Sequence, residues 1–127
     1  MKDWYHARIM DHYRNRRNSA PLEQPDVRVV QANPLCGDSL TCELLVSEGV
    51  IRACAVYGSG CVMSQASASL LSQEIVGKSL SECAHLSVDT MAALVGVPVG
   101  PMRMECVMLS LRALHKGIAE CSIMKKL

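Results

Sequence analysis

The chain has 127 residues, half of them hydrophobic, and a formal net charge of +1. That length and apolar content suit one compact domain over residues 1–127, and no run approaches the roughly 20 apolar residues that a membrane span needs. Seven cysteines is an odd number and no apolar signal segment follows Met1, so a reducing cytoplasm is expected in place of a disulfide framework.

The pattern predicts an N-terminal helix over about residues 3–15, carrying His6 and His12 and ending in the basic stretch Arg14, Arg16 and Arg17. With a net charge of +1 and no aromatic cluster beside these arginines, nucleic acid is not the partner they serve. A solvated helix end is the default reading. The alternative is a protein-docking surface shared with Trp4 and Tyr5, since aromatics and arginines favour interfaces. A polar loop with Pro21 and Pro25 follows.

From Val27 to Tyr57, short β-favouring runs alternate with turn residues and predict three antiparallel strands. Ser47-Glu48-Gly49 makes residues 39–46 and 50–57 a hairpin whose register the turn fixes. Counting outward from that turn sets Cys36 and Asp38 opposite Gly58, Ser59 and Gly60, so Cys61 emerges at the same end of the sheet.

Ser64 is the expected N-cap of a helix over about residues 65–76 closed by Gly77, which puts Cys61 just ahead of a helix N-terminus. Further helices are predicted near 79–84, 87–95 and 102–117, the last opened by Pro101 and stopped by Gly117, with the residues from about Cys121 frayed. Strands grouped ahead of helices argue for an α+β fold, a three-stranded antiparallel sheet with helices packed on one face. Cys36, Cys61 and Cys106 each stand at the edge of a regular element, where a metal ligand, a sulfur nucleophile and a buried cysteine all remain open. Cys42, Cys54, Cys83 and Cys121 fall within or just after predicted elements and read as small core residues. No Cys-x-x-Cys occurs, and Gly77-Lys78-Ser79 follows a helix instead of a strand, which disfavours thioredoxin-type and phosphate-loop chemistry.

Asn33-Pro34-Leu35-Cys36-Gly37-Asp38, then Gly58-Ser59-Gly60-Cys61-Val62-Met63-Ser64-Gln65-Ala66-Ser67-Ala68-Ser69, then Gly77-Lys78, then Cys106 with Leu109 and Ala113-Leu114, together resemble the IscU/NifU-type iron-sulfur cluster assembly scaffold. The stretch from Asp11 to Asn18 resembles that family's first helix and turn, so the likeness covers nearly the whole chain. It implies that Cys36, Asp38, Cys61 and Cys106 are metal and cluster ligands, and that Cys106 is a candidate persulfide acceptor. It implies a transient 2Fe-2S cluster built from iron and from sulfur supplied by a cysteine desulfurase, then passed to recipient apoproteins. Zinc is expected in the same pocket, and the protein is a scaffold or carrier, not an enzyme. Thiolates suit both zinc and iron-sulfur clusters, and Asp38, a harder ligand, is expected to keep the site labile.

Two features depart from the family pattern. Glu105 stands where His or Lys is usual; it offers a further carboxylate ligand, or by repulsion weakens the acceptor role of Cys106. Arg103 reads first as a solvated or ion-paired arginine, the alternative being that it offsets Glu105 and holds an incoming anionic sulfur group. Residues 97–104 lack the Leu-Pro-Pro-Val-Lys segment, which puts recognition by a dedicated Hsp70-type chaperone in doubt. The related zinc-dependent SufU branch, a sulfurtransferase that relays persulfide sulfur, supplies the alternative reading. Its usual insertion between the second and third cysteines has no room here, which favours the scaffold. His85 and His115 are read as surface or packing residues.

Overall fold

The computed structural model describes residues 2–35 and 37–124. Helix α1 (Lys2–Arg14) precedes strands β1 (Val27–Asn33), β2 (Asp38–Ser47) and β3 (Val50–Ser59). Helices α2 (Val62–Ile75), α3 (Leu80–Ala84), α4 (Val88–Val95) and α5 (Pro101–Met124) follow. The strands form one antiparallel sheet in the order β1-β2-β3, as the grouping of strands before helices predicts.

The hairpin closes on the pair Ser47↔Val50, with Glu48 at φ 53 and Gly49 at φ 73. Two successive left-handed residues make the kind of two-residue turn whose twist matches that of paired strands. Register then runs outward through Leu44↔Cys54 to Ser39↔Ser59, with one irregularity beside Leu45 and Val46 that leaves Arg52 unopposed. The inward set of Val27, Val29, Leu40, Cys42, Leu44, Ile51, Cys54 and Val56 is buried against α2 and α5. Leu71, Leu109 and Leu114 complete that layer with no exposed surface, each contributing about 2 kcal/mol by burial. No helix among the described residues is long and apolar enough to cross a membrane.

Two helix boundaries differ from expectation. Helix α2 starts at Val62 with Cys61 as its N-cap, three residues before the predicted Ser64 cap. The chain leaves β3 at Ser59 and turns into the helix almost at once, so Ser64 lies inside the first turn with its hydroxyl donated to the Cys61 carbonyl at 3.0 Å. Helix α5 runs through Gly117 to Met124, and Cys121 is buried, not frayed. Gly117 is there for packing: a Cβ on it would sit 3.4 Å from the Leu44 side chain and 3.6 Å from that of Val29, so the bare backbone lets α5 approach the sheet.

The outer sheet face is crossed by the segment between α1 and β1. Asn18 accepts from the Val56 N–H on the β3 edge at 2.8 Å, and the Leu22 N–H donates to the Glu43 carboxylate at 2.7 Å. Glu43, fully buried, also accepts from Arg28 at 2.7 Å and from the Tyr57 hydroxyl. Arg28 is its direct cross-strand partner and Tyr57 its diagonal one, where side chains on one sheet face meet.

Candidate metal centre at the sheet rim

Three elements bring functional side chains to one end of the sheet. Asp38 is the first residue of β2, paired with Asn33, and its side chain is on the inner face, buried. The Asn33 side chain accepts from the Leu35 N–H at 3.0 Å and its carbonyl from the Gly37 N–H at 2.9 Å, which folds the β1–β2 connection tightly. Cys61 caps α2, and Cys106 lies in the second turn of α5 after Pro101. One ligand atom each from Asp38, Cys61 and Cys106 lies within 4.8 Å of the others. Two sulfurs on one tetrahedral zinc stand about 3.8 Å apart, so the described geometry lies within a small adjustment of a metal-holding one. Cys36, the remaining residue of the expected set, lies outside the described residues.

Close backbone approach builds the centre. A Cβ on Gly60 would lie 2.2 Å from the Ser64 hydroxyl and 3.0 Å from the Asp38 carboxyl carbon, so any larger residue would push Asp38 away. The Asp38 carboxylate accepts a long hydrogen bond of 3.4 Å from the Cys61 N–H. Asp38 and Cys106 are buried, at 7% and 8% exposed, whereas Cys61 is open to solvent. Cys61 and Arg103 both line an open pocket of about 540 Å³ whose walls, from α1, the start of α2, the connection before α5 and the first turn of α5, are mainly apolar.

The other expected participants separate from the centre. Glu105 forms an ion pair with Arg112 at 2.6 Å, two turns along the same helix, so Arg112 and not Arg103 answers its charge. Among the described residues no histidine joins the group. His12 is buried and bonded to Ser69 at 2.8 Å, His85 bonds the Ser81 carbonyl at 2.8 Å, and His115 the Cys83 carbonyl at 3.1 Å. Burial lowers the pKa of His12, which favours the neutral ring in that packing role. Cys42, Cys54, Cys83 and Cys121 are core residues, as read from the sequence. Burial pushes the Cys54 thiol up to about 12 and the Cys121 thiol up to about 11, which keeps both as inert thiols.

Arg14 and Arg16 are exposed, consistent with a solvated helix end, while Arg17 pairs with Asp11 at 2.8 Å. The side chains of Trp4 and Tyr5 lie outside the described residues. Sequence reasoning missed buried Gln65 beside the centre, because a polar residue in a helix ordinarily reads as surface, and took the equally buried Ser64 for the helix cap.

A small α+β domain with thiols and a carboxylate gathered at one rim of its sheet is thus defined by fold and site together. Residues 4–126 match the model of the NifU-like N terminal domain, and the chain belongs to that family. It is 33% identical to the zinc-dependent sulfurtransferase SufU of Bacillus subtilis, over 91% of this chain and 90% of that protein. It is 30% identical to the iron-sulfur cluster assembly scaffold protein IscU of Haemophilus influenzae, over 91% of this chain and 94% of that one. The solved N-terminal structure of a nitrogen-fixing NifU-like protein from Brucella abortus has a TM-score of 0.74, covering 99% of this chain and 98% of its own at 22% identity, a likeness of fold.

Proposed function

We propose that this protein is a cytoplasmic scaffold that assembles a 2Fe-2S cluster from ferrous iron and persulfide sulfur and hands it to apoproteins. The observation that carries this reading is the convergence of Asp38, Cys61 and Cys106 on one rim, with one thiol exposed and the other two groups sheltered. Cys36, Asp38, Cys61 and Cys106 are the proposed ligands for iron and for zinc, thiolates supplying the soft donors that both prefer and Asp38 the exchangeable one. Cysteine desulfurase is the proposed sulfur donor. An acceptor thiolate, Cys106 being the candidate, attacks the outer sulfur of the donor's persulfide, the donor thiolate leaves, and a reductant supplies the two electrons that convert each sulfane sulfur to sulfide. Arg103, on the wall of the pocket that Cys61 lines, is suited to attract the anionic persulfide. Residues 97–104 lack the chaperone segment, so transfer is proposed to proceed without a dedicated Hsp70-type chaperone.

The second reading, a zinc-bound sulfurtransferase that relays sulfur, is favoured by the likeness to the Bacillus protein. Against it, the path from Cys61 to Cys106 runs through α2, α3, α4 and the start of α5 with only short connections, leaving no insertion. The test is incubation with desulfurase, L-cysteine, Fe(II) and reductant under anaerobic conditions. Visible absorption from a protein-bound cluster that passes to an apo-ferredoxin is the expected result. Persulfide turnover with zinc retained and no cluster would favour the relay and overturn the scaffold.

A further inference from the structure

Helix α2 buries polar side chains where core helices bury carbon. Ser64, Gln65, Ser69 and Ser72 are all at most 5% exposed. Buried polar groups persist where they have partners, so each should hold something in place. Ser69 accepts from the Arg17 N–H at 2.9 Å and bonds His12, and Ser72 bonds Asn18 and the Arg17 carbonyl, so these two fasten the segment that follows α1.

Gln65 works at the other end of the helix. Its side-chain amide donates to the Gly58 carbonyl at 2.9 Å, and its backbone N–H donates to the Cys61 carbonyl at 3.1 Å, which also receives the Ser64 hydroxyl. The stretch from Gly58 to Cys61, where the chain passes from β3 into α2, is therefore gripped from inside the helix. Gly58 itself is pressed against β2: a Cβ there would stand 2.1 Å from the Ser39 carbonyl oxygen, one residue from Asp38. Holding Gly58 thus holds the strand end that carries Asp38 and the turn that carries Cys61.

We propose that Gln65 is a positioning residue for the metal centre, its buried amide fixing the turn that sets the Cys61 thiol against the Asp38 carboxylate. This rests on the metal-holding reading above. Groups one step removed from the ligands orient them, and their loss typically costs roughly 10–100-fold in metal affinity. Gly58 is an exposed residue, so its carbonyl can turn to water when the amide is removed, and the fold should survive.

The test is anaerobic Co(II) titration of the metal-free chain, comparing wild type with Gln65→Met, which keeps the length of the side chain and removes the donor. The expected result is affinity weakened by roughly tenfold or more, altered thiolate-to-Co(II) charge-transfer and d–d bands, and an apo melting temperature within a few degrees of wild type. Unchanged affinity and unchanged bands would overturn the proposal. If Gln65→Met does not fold, Gln65→Asn, whose amide is too short to reach Gly58, carries the test with the same two outcomes. Absence of thiolate-to-Co(II) bands in the wild type would instead sink the metal-holding reading and this inference with it.

Discussion

Replacing Cys106 with serine is expected to lower zinc affinity by about two orders of magnitude and to prevent cluster assembly, with the fold intact. The sulfur of Cys106 is sheltered in the second turn of α5 and within 4.8 Å of ligand atoms from Asp38 and Cys61. Serine fills nearly the same space, yet its hydroxyl stays protonated at neutral pH where a metal-facing thiol gives up its proton. Structural zinc sites bind with about 10–16 kcal/mol over four ligands, so one thiolate accounts for roughly 3 kcal/mol, or about 100-fold. Chelator competition with far-ultraviolet circular dichroism on the same samples measures both quantities. Cys54→Ala is the control, since Cys54 lies in the core, donates to the Ser72 carbonyl at 3.6 Å and has its thiol pushed up to about 12 by burial. That variant should melt lower and bind zinc within about twofold of wild type. Zinc affinity of Cys106→Ser within threefold of wild type would remove Cys106 from the site.

Glu43→Gln is expected to destabilise the fold by about 2 kcal/mol at neutral pH and to flatten the loss of stability in acid. Glu43 has no exposed surface, and burial is the strongest single influence on its carboxyl, working against the charge. The Tyr57 hydroxyl, the Leu22 N–H and the Arg28 guanidinium together outweigh it and hold the pKa below the ordinary carboxylate value. Part of its cover is the segment before β1, through the Leu22 N–H. A depressed carboxyl pKa gives stability that is present above the unfolded-state value near pH 4.3 and is lost as pH falls through the folded-state value. The bond to Glu43 raises the pKa of Tyr57, so its contribution is present below about pH 10 and lost as pH rises through the folded-state value. Urea unfolding of wild type and Glu43→Gln at pH 7, 4 and 3 measures the acid limb. Curves that stay parallel across those pH values would show that Glu43 is not ionised in the fold.

The architecture was legible where local rules act alone. The turn at Glu48–Gly49 fixes the hairpin and counting outward brings Asp38 and Cys61 to one rim, although the irregularity at Arg52, which counting does not foresee, shifts the far register by one residue. Cys106 was harder, because its place depends on how α5 lies across the sheet, which chain periodicity does not encode. Ser64 had the residue type of an N-cap but belongs to the first turn, since the exit from β3 at Ser59 leaves no room for a longer linker. Gly117 looked like a stop and is a packing contact, because inside a helix the demand for close approach to Leu44 outweighs the glycine's cost in helix propensity. Glu43 and Gln65 escaped notice for one reason. Both are polar residues held in the interior by partners outside their own element, Arg28, Tyr57 and Leu22 for one and Gly58 at the end of β3 for the other.

The most direct measurement is zinc K-edge X-ray absorption on the zinc-loaded protein and on its Cys61→Ser variant. A sulfur-dominated first shell at about 2.3 Å with a lighter oxygen donor near 2.0 Å, losing one sulfur in the variant, is the predicted result. A wild-type shell made only of nitrogen and oxygen, or one whose sulfur count the variant leaves unchanged, would contradict a metal centre shared by Asp38, Cys61 and Cys106.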